Sequence, residues 1–338
     1  MENITALKTL LATPQRIVLT SHRNPDGDAI GSSLAMQHYL RKLGHTVHVA
    51  VPSDYPDSLD WMPNVREVLV YDAAPEQVKE VIQKADIVFS LDYNDLERID
   101  KMGEWVKARQ ESLQLVMIDH HLEPKAYAQF MLSESSASST CELVYEFIVD
   151  YLNDREKIDR ATADAIMTGI LTDTNSFRYS TSPKLLRIAA DLLELGVDNY
   201  LLQDLIFNSM KVKNLHLLGY CLNQRMEILE EYNTGIITLT KDDYEYFDIS
   251  RGDTEGIVNY LLKIRHVRMA AFIMEQPTIV KISLRSKGDF SVQQIAQKHF
   301  RGGGHKNASG GASFQNLRST VRRFKELLPQ YQAELTAE

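Results

Sequence analysis

The chain has 338 residues, of which 44% are hydrophobic and 25% are charged, and its net charge is −9. This length suits two domains, and the composition is that of a globular protein. No apolar run is long enough to span a bilayer, and the N-terminus lacks a signal-peptide pattern. Cys141 and Cys221 lack metal-binding spacing. These features predict a cytoplasmic protein with no membrane partner and no affinity for long duplex nucleic acid.

The first 135 residues alternate short apolar runs with amphipathic segments, which is typical of a parallel sheet covered by helices on both faces. Helices are expected at 28–42, ending near Gly44, and at 76–85. Two more are expected at 139–152 and 158–171, the first beginning with a capping-box pattern. The predicted strands are 16–21, 45–51, 86–92, 113–119 and 130–134.

Residues 184–230 contain few helix breakers and are expected to be almost wholly helical. A second α/β region follows, with strands near 234–240, 268–275 and 278–285 and helices near 253–263, 291–298 and 316–328. The sequence therefore predicts a parallel-sheet domain at 1–185, a helical linker at 186–215 and a smaller α/β domain at 216–338.

The C-terminal region contains a basic segment within this acidic chain. From Arg265 to Arg323 there are eleven Lys and Arg residues and two acidic residues, Glu275 and Asp289. This segment indicates either a binding site for a specific anionic ligand or a solvated basic face.

Aspartate and histidine residues follow several predicted elements of the first domain. In an open parallel sheet the carboxyl ends of the strands line one crevice, so these residues are expected to converge. Neighbouring carboxylates repel one another unless a cation neutralises them. Oxygen and imidazole ligands without thiolate suit Mn²⁺, Fe²⁺, Co²⁺ or Mg²⁺, and their number suits two ions about 3.5 to 4 Å apart. The residues are His22, Asp26, Asp28, Asp92, Asp119, His120, His121 and Asp173.

The segments HRNPDGDA, LDYND, IDHH and LTDT resemble the four motifs of the DHH phosphoesterase superfamily. FRGGGHKNASGG, at 300–311, resembles the Gly-Gly-Gly-His motif of the DHH-associated C-terminal domain. The resemblance covers nearly the whole chain, and the subgroup it indicates is that of bifunctional oligoribonucleases (nanoRNases) and pAp phosphatases. Arg301 departs from the pattern, because glycine often precedes the triplet in the family. This departure leaves the shape of the loop open.

The resemblance implies a role for each residue of the cluster. Two divalent metal ions are expected, with Mn²⁺ as the first choice and Mg²⁺ or Co²⁺ as alternatives. They would activate a hydroxide for in-line attack on phosphorus. His121 would contact the substrate phosphate, and Asp119 would orient a metal-binding histidine without binding a metal itself. The implied metal ligands are His22, Asp26 and Asp92 for one ion and Asp28, Asp92, His120 and Asp173 for the other, and the implied catalytic residues are His121, Asp28, Asp92 and His120.

The second domain would bind the part of the substrate that the metals do not. Gly302, Gly303 and Gly304 lack side chains, so their backbone N–H groups can approach a phosphate closely. His305 follows them, and Arg285 at a strand end would contact a phosphate or a base.

The predicted function is hydrolysis of RNA of roughly two to five nucleotides to nucleoside 5′-monophosphates, of 3′-phosphoadenosine 5′-phosphate (pAp) to AMP, or of both. An alternative is a phosphodiesterase for cyclic di-AMP or linear dinucleotides. An alternative of another class is a non-catalytic nucleotide-binding regulator, which the loss of a metal ligand would indicate. The predicted partners are short RNA, dinucleotides or pAp, and the helical residues 184–230 can support a homodimer.

Overall fold

A six-stranded parallel sheet forms the centre of the N-terminal half of the chain. In this computed structural model, which describes residues 1, 3–208, 210–250 and 252–337, the chain divides into two units, Met1–Ser209 and Met210–Glu338. The strands of the first unit are β1 Arg16–Thr20, β2 Thr46–Val51, β3 Leu69–Val70, β4 Ile87–Leu91, β5 Gln114–Asp119 and β6 Phe130–Ser133. Their order across the sheet is β3-β2-β1-β4-β5-β6, so the chain adds strands on one side of β1 up to β3 and on the other side from β4 onward.

Helices cover both faces of this sheet, as predicted. The helices are α1 Ile4–Leu11, α2 Gly27–Lys42, α3 Pro75–Lys84, α4 Asp100–Ala108, α5 Thr140–Glu146, α6 Arg160–Thr174, α7 Pro183–Glu194 and α8 Asn199–Phe207. In β1, Ile17 and Leu19 pack on the side of α2, α5 and α6, whereas Val18 packs on the side of α3 and α4, because the side chains of a strand alternate between its two faces.

Two glycines allow the buried helices α2 and α6 to approach closely. A Cβ atom on Gly31 would lie 2.6 Å from the carbonyl oxygen of Ala165. A Cβ atom on Gly169 would lie 2.3 Å from Cys141 Sγ on α5. The missing side chains therefore bring the start of α2 and the end of α6 together beside α5.

The second unit contains a mixed six-stranded sheet with the order β11-β12-β10-β9-β8-β7. Only the β8–β9 pair is parallel among the described pairs. Helices α12 and α13 pack on one face, and α9 and α11 pack on the other. The strands are β7 Met226–Leu229, β8 Thr234–Leu239, β9 Met269–Glu275, β10 Val280–Ser286, β11 Gly303–His305 and β12 Ala308–Ser313, and the helices are α9 Val212–Gln224, α10 Lys241–Tyr246, α11 Ile257–Leu261, α12 Val292–Phe300 and α13 Leu317–Thr336.

The predicted α/β fold class is confirmed, and several short elements were not predicted: α1, β3, α4, β7, α10, β11 and β12. β7 lies within residues expected to be helical, because α9 ends at Gln224 and residues 226–229 instead pair antiparallel with β8 at an edge of the sheet. β11 and β12 consist largely of glycine, alanine and serine, which have low strand propensity.

The predicted domain boundaries stay a prediction. The predicted linker at 186–215 contains most of α7 and α8, whose Leu192 and Leu202 belong to the core of the first unit. Among the described residues, no helix has both the length and the apolar character needed to cross a bilayer. The cytoplasmic location stays a prediction.

Candidate active site

The loop after β1 brings three of the predicted ligands to the carboxyl edge of the sheet. His22 Nδ1 lies 2.9 Å from the carbonyl oxygen of Arg23, and its Nε2 lies 3.3 Å from Asp92 Oδ2. Asp26 is the N-cap of α2 and accepts hydrogen bonds from the N–H groups of Asp28 (3.0 Å) and Ala29 (3.1 Å). This cap holds the Asp26 carboxylate beside His22 and Asp92.

Asp28 is fully buried and is held by the start of α5. Its Oδ2 accepts a hydrogen bond from the Thr140 N–H (2.6 Å), and its Oδ1 accepts one from the Cys141 N–H (2.8 Å). A Cβ atom on Gly169 would lie 2.5 Å from Asp28 Oδ1. The Asp28 carboxylate thus occupies space that a side chain at residue 169 would fill.

Asp92 lies at the end of β4 between two histidines. Its φ of +64° places the backbone in the left-handed region, which costs energy for a residue with a side chain. Its Oδ2 faces His22 Nε2 at 3.3 Å, and its Oδ1 faces His120 Nε2 at 3.5 Å. The Thr140 hydroxyl donates a hydrogen bond to the same Oδ1 (3.1 Å). The two oxygens of one carboxylate therefore face two different sets of predicted ligands.

The Asp-His-His segment ends β5. His120 Nε2 lies 3.3 Å from Asp173 Oδ2, 3.5 Å from Asp92 Oδ1 and 3.8 Å from Asp28 Oδ2. The Nδ1–H group of His121 donates to Asp119 Oδ1 at 2.8 Å. Asp119 was expected to orient a metal-binding histidine, but its hydrogen bond is with His121 and not with the predicted metal ligand His120.

Burial and mutual repulsion set the protonation of these carboxylates. Burial raises the pKa of Asp28 to about 7, with a further contribution from the negative charge of Asp92. Burial likewise raises the pKa of Asp173 well above its usual range, and the charge of Asp28 adds to the effect. Burial also disfavours ionised Asp92, but hydrogen bonds from His120 and His22 outweigh it and hold the pKa of Asp92 well below its usual range.

The two histidines that face Asp92 favour their protonated forms. Burial lowers the pKa of His120, but its hydrogen bond and charge contact with Asp92 outweigh burial, and the pKa is raised well above its ordinary value. The pKa of His22 is raised for the same reason, again through Asp92. Without a cation, protonated histidines thus offset part of the buried negative charge.

The donor atoms fit two divalent cations. His22, Asp26 and Asp92 each offer a ligand atom, and these atoms lie within 4.8 Å of one another; the same holds for a second group, Asp28, His120 and Asp173. These six residues are the metal ligands that the resemblance to the family implies. Burial and neighbouring carboxylates both oppose the ionisation of Asp28 and Asp173. A bound cation would favour their ionised forms, because its positive charge offsets the repulsion among the carboxylates. Every candidate ligand position has a residue that can bind a cation, which argues against a non-catalytic regulator that has lost a metal ligand.

Sequence reasoning missed the supporting residues Thr140, Cys141 and Gly169. The capping pattern at residues 139–142 was a signal for the first two, but it was interpreted only as a helix start. Ser139 caps α5 as predicted, accepting from the Glu142 N–H at 3.1 Å, whereas the Glu142 carboxylate accepts from Ser138 N–H at 2.7 Å.

In the second unit, the predicted substrate-binding residues lie on neighbouring strands. Arg285 on β10 is opposite Ala308 on β12, which in turn is opposite His305 on β11. Residues directly opposite in antiparallel strands share a face of the sheet, so Arg285 and His305 flank the small side chain of Ala308.

The three glycines of the predicted phosphate loop differ in their surroundings. A Cβ atom on Gly302 would lie 1.9 Å from the carbonyl oxygen of Gly310, and Gly304 has a φ of +132°. A Cβ atom on Gly303 would meet no atom within 4 Å among the described residues. Gly302 and Gly304 are therefore required by the fold, whereas the space beside Gly303 is open. Arg301, which departs from the family pattern, is the C-cap of α12 in the left-handed region, and its guanidinium lies 5.3 Å from the centre of the Phe314 ring.

Comparison with known proteins places this geometry in a family. The model of the DHH family N-terminal domain matches residues 16–170, and that of the DHHA1 domain matches residues 233–334. A crystal structure of an exopolyphosphatase-related protein from Bacteroides fragilis is 37% identical, with a TM-score of 0.94 over 99% of this chain and 97% of that chain. The chain belongs to the DHH family.

Its curated relatives include the bifunctional oligoribonuclease and PAP phosphatase NrnA of Thermus thermophilus. That protein is 28% identical over 330 residues, which are 97% of this chain and 93% of the relative. The cyclic-di-AMP phosphodiesterase PdeA of Listeria monocytogenes is 26% identical over 313 residues, but this chain spans 45% of its length. Family membership and these relatives establish that the chain is a phosphoric ester hydrolase.

Proposed function

We propose that this enzyme hydrolyses short oligoribonucleotides to nucleoside 5′-monophosphates and converts pAp to AMP. The observation that carries the proposal is the placement of Asp92, whose Oδ2 faces His22 and whose Oδ1 faces His120 within a buried carboxylate cluster. Similarity to NrnA of T. thermophilus over nearly the full length of both chains supports the choice of substrates.

Six side chains would hold two divalent cations, proposed as Mn²⁺ with Mg²⁺ or Co²⁺ as alternatives. Asp92 would contribute to both sites, His22 and Asp26 to one, and Asp28, His120 and Asp173 to the other. The cations would supply a water of lowered pKa and positive charge opposite the phosphoryl oxygens.

His121 would act on the substrate phosphate or on the leaving oxygen, and Asp119 would orient His121. Asp119 accepts the Nδ1–H of His121 and so fixes the orientation of the ring. Nε2 is then the ring nitrogen that would contact the substrate phosphate or protonate the leaving oxygen. In this role His121 is a catalytic residue, and Asp119 positions it.

The second unit would bind a terminal phosphate and its nucleoside. Arg285 and His305 would contact the phosphate, and the backbone at Gly303 would approach it through the open space beside that residue. Gly302 and Gly304 would shape the loop. A terminal phosphate bound in this way favours substrates of a few nucleotides over long strands.

A product-resolved assay tests the proposal. The purified chain with Mn²⁺ would be given pApA, pAp, cyclic di-AMP and inorganic tripolyphosphate in parallel, and we expect rapid AMP release from the first two. His120→Ala and Asp28→Ala are expected to abolish this turnover in folded protein. Retained activity in either variant without excess metal would contradict the assigned ligands.

The assay also separates two alternatives that the relatives raise. Similarity to PdeA of L. monocytogenes favours cyclic di-AMP as a second candidate substrate, and comparable cleavage of cyclic di-AMP would move the enzyme into second-messenger turnover. Phosphate release from tripolyphosphate would instead match the activity named for the B. fragilis relative. Either result without AMP release from pApA would overturn the proposed function.

A further inference from the structure

Thr140 contacts carboxylates from both candidate metal sites. Its backbone N–H donates to Asp28 Oδ2 at 2.6 Å, and its hydroxyl donates to Asp92 Oδ1 at 3.1 Å. Asp28 belongs to the group with His120 and Asp173, and Asp92 belongs to the group with His22 and Asp26. One fully buried residue therefore bonds to both sets of candidate ligands.

The Thr140 hydroxyl constrains the carboxylate that most needs a fixed orientation. Asp92 has its backbone in the left-handed region, and its two oxygens face opposite sides of the cluster. Rotation of this carboxylate would turn an oxygen away from one group. Because Thr140 donates to Oδ1, it favours the rotamer in which Oδ2 faces His22.

We propose that Thr140 is a positioning residue for the two-metal site, acting through Asp92 and Asp28. This inference rests on the proposed function, because it assigns Thr140 a role toward the same two cations. Residues that orient metal ligands typically contribute about 10- to 100-fold to metal affinity. Thr140 does not contact substrate in this role.

Two substitutions separate the hydroxyl from the rest of the side chain. Thr140→Val keeps the shape and the backbone N–H but removes the hydroxyl, whereas Thr140→Ser keeps the hydroxyl. Mn²⁺ affinity and stoichiometry would be measured by calorimetric titration and by the EPR signal of free Mn²⁺. We expect Thr140→Val to weaken Mn²⁺ binding about tenfold and Thr140→Ser to stay within about threefold of the wild type.

A control accounts for the general cost of removing a buried hydroxyl. Thr320 in the second unit is fully buried and donates to Ser313 Oγ at 2.9 Å, so Thr320→Val makes the same chemical change at a residue that bonds to no candidate ligand. It is expected to leave Mn²⁺ affinity unchanged. Wild-type affinity in Thr140→Val, or equal losses in the Val and Ser variants, would overturn the positioning role. Failure of the wild-type chain to bind Mn²⁺ or to cleave pApA would instead overturn the proposed function.

A separate observation concerns the outer surface of the first unit. Seven large hydrophobic side chains are exposed among its described residues, and five of them lie on α7 and α8. On α7, Leu186 is 52% exposed and Leu193 is 47% exposed, and the exposed Ala190 lies between them. Their spacing of four and three residues forms one stripe along the helix, and the opposite side of α7 packs into the core.

The charges beside this stripe are self-complementary. Arg187 and Glu194 are two turns apart, so they lie on the same flank of α7, and Ala190 lies midway between them. Within the described part of the chain, neither forms a close ion pair, although the charge of Glu194 acts on Arg155, whose bidentate partner is Asp191. An antiparallel copy of α7, related by a twofold axis near Ala190, would place Arg187 of each chain beside Glu194 of the other.

We infer that the occupant of this stripe is a second copy of the chain, paired antiparallel along α7. Leu186 would pack near Leu193 of the other copy, and the two Ala190 residues would allow close approach. The contact is isologous, since each copy uses the same residues. A homodimer formed in this way uses an exposed apolar surface that a monomer would leave in water.

Exchanging the charges at Arg187 and Glu194 tests the antiparallel pairing of the two copies. Sedimentation over a dilution series would measure the dimer dissociation constant for the wild type, Arg187→Glu, Glu194→Arg and the double variant. Each single variant places like charges together and is expected to weaken the dimer about tenfold, and the double variant is expected to restore it. Tyr246→Ser, which removes an exposed aromatic ring of the second unit, serves as a control with no expected effect.

The outcomes discriminate between this dimer and other occupants. A monomeric wild type at every concentration would overturn the proposal and leave the stripe to a different partner. A dimer that neither single variant weakens would place the interface elsewhere. Weakening by both single variants without recovery in the double variant would overturn the antiparallel pairing.

Discussion

The two units place their candidate functional residues in different ways. In the first unit, buried charged side chains converge from loops that are far apart in sequence, and Asp28 is fully buried. In the second unit, Arg285 and His305 lie in direct register across three strands with the small residue Ala308 between them, and Gly303, which pairs with Gly310, leaves open space two residues before His305. In the first arrangement, burial and mutual repulsion disfavour ionised Asp28 and Asp173 in the absence of a cation, whereas the second arrangement brings together few charges.

The largest expected effect tests whether the charge in the first unit serves chemistry rather than folding. Asp28→Asn should lower turnover of pApA by about a thousand-fold, because a candidate metal ligand loses its charge. Its unfolding midpoint in chelator should fall by less than about 8 °C, because relief of the repulsion with Asp92 opposes the loss of one hydrogen bond that the carboxylate accepts from the backbone of α5. Asp60→Asn, on the surface, should change neither quantity. Unfolded protein would show instead that the charge is structural.

The pH dependence of stability sharpens the contrast between the units. The pKa of Asp28 is about 7 in the folded chain, raised first by burial and then by Asp92, and it returns to about 3.8 on unfolding. Between these values the folded state binds more protons, so the contribution of Asp28 to stability is lost as the pH rises from about 4 to 7. The loss is at most about 1.4 kcal/mol per pH unit.

Urea unfolding in chelator at several pH values would measure this loss. The Asp28→Asn variant lacks the titrating group. The free energy of unfolding of the wild type, measured relative to that of the variant, should therefore decrease as the pH rises through that window. A difference that stays constant between about pH 5 and 7 would show that the Asp28 carboxyl does not titrate there in the metal-free protein.

Overpacking provides a third way to break the arrangement of the first unit. In Gly169→Ala the new Cβ would lie 2.5 Å from Asp28 Oδ1 and 2.3 Å from Cys141 Sγ. We expect a loss of about 1 to 3 kcal/mol in the free energy of unfolding, together with weaker Mn²⁺ binding. Gly219→Ala on α9, where no described atom lies within 4 Å of the new Cβ, should be neutral or slightly stabilising. Equal behaviour of the two variants would contradict the close contact.

The smallest effect tests the second unit, where open space rather than charge is proposed to serve binding. Gly303→Ala should leave the free energy of unfolding within about 0.5 kcal/mol of wild type, because its Cβ has no neighbour. It should raise KM for pApA about tenfold, because a methyl group would keep a phosphate from the backbone. Gly302→Ala should destabilise the protein, since its Cβ would lie 1.9 Å from Gly310 O. An unchanged KM in Gly303→Ala would remove Gly303 from the binding site.

Sequence alone predicted five of the six strands of the first sheet and the convergence of its candidate ligands. Short apolar runs identified β1, β4 and β5, and the rule for parallel strands placed His22, Asp92 and His120 at one edge. The partners of these ligands were not predictable in the same way. Thr140 is 112 residues from Asp28, and nothing in a local capping pattern indicates which distant carboxylate its N–H will meet.

The second unit was predicted less completely for a different reason. β11 and β12 carry few of the β-branched and aromatic residues that indicate strands. The Gly-Gly-Gly-His segment was therefore interpreted as a loop, although Gly303 and His305 pair in register with β12. Pairing with β10, rather than local propensity, makes β12 a strand.

Hydrogen bonds within the chain restrain the three candidate aspartate ligands that follow strands of the first unit. Asp26 accepts from the backbone of α2, Asp28 accepts from the backbone of α5, and Asp92 accepts from Thr140. The conformational entropy of these side chains is thus lost during folding rather than during metal uptake. Cation loading would then resemble association with a rigid receptor, and the radius of the ion would influence selection among divalent metals.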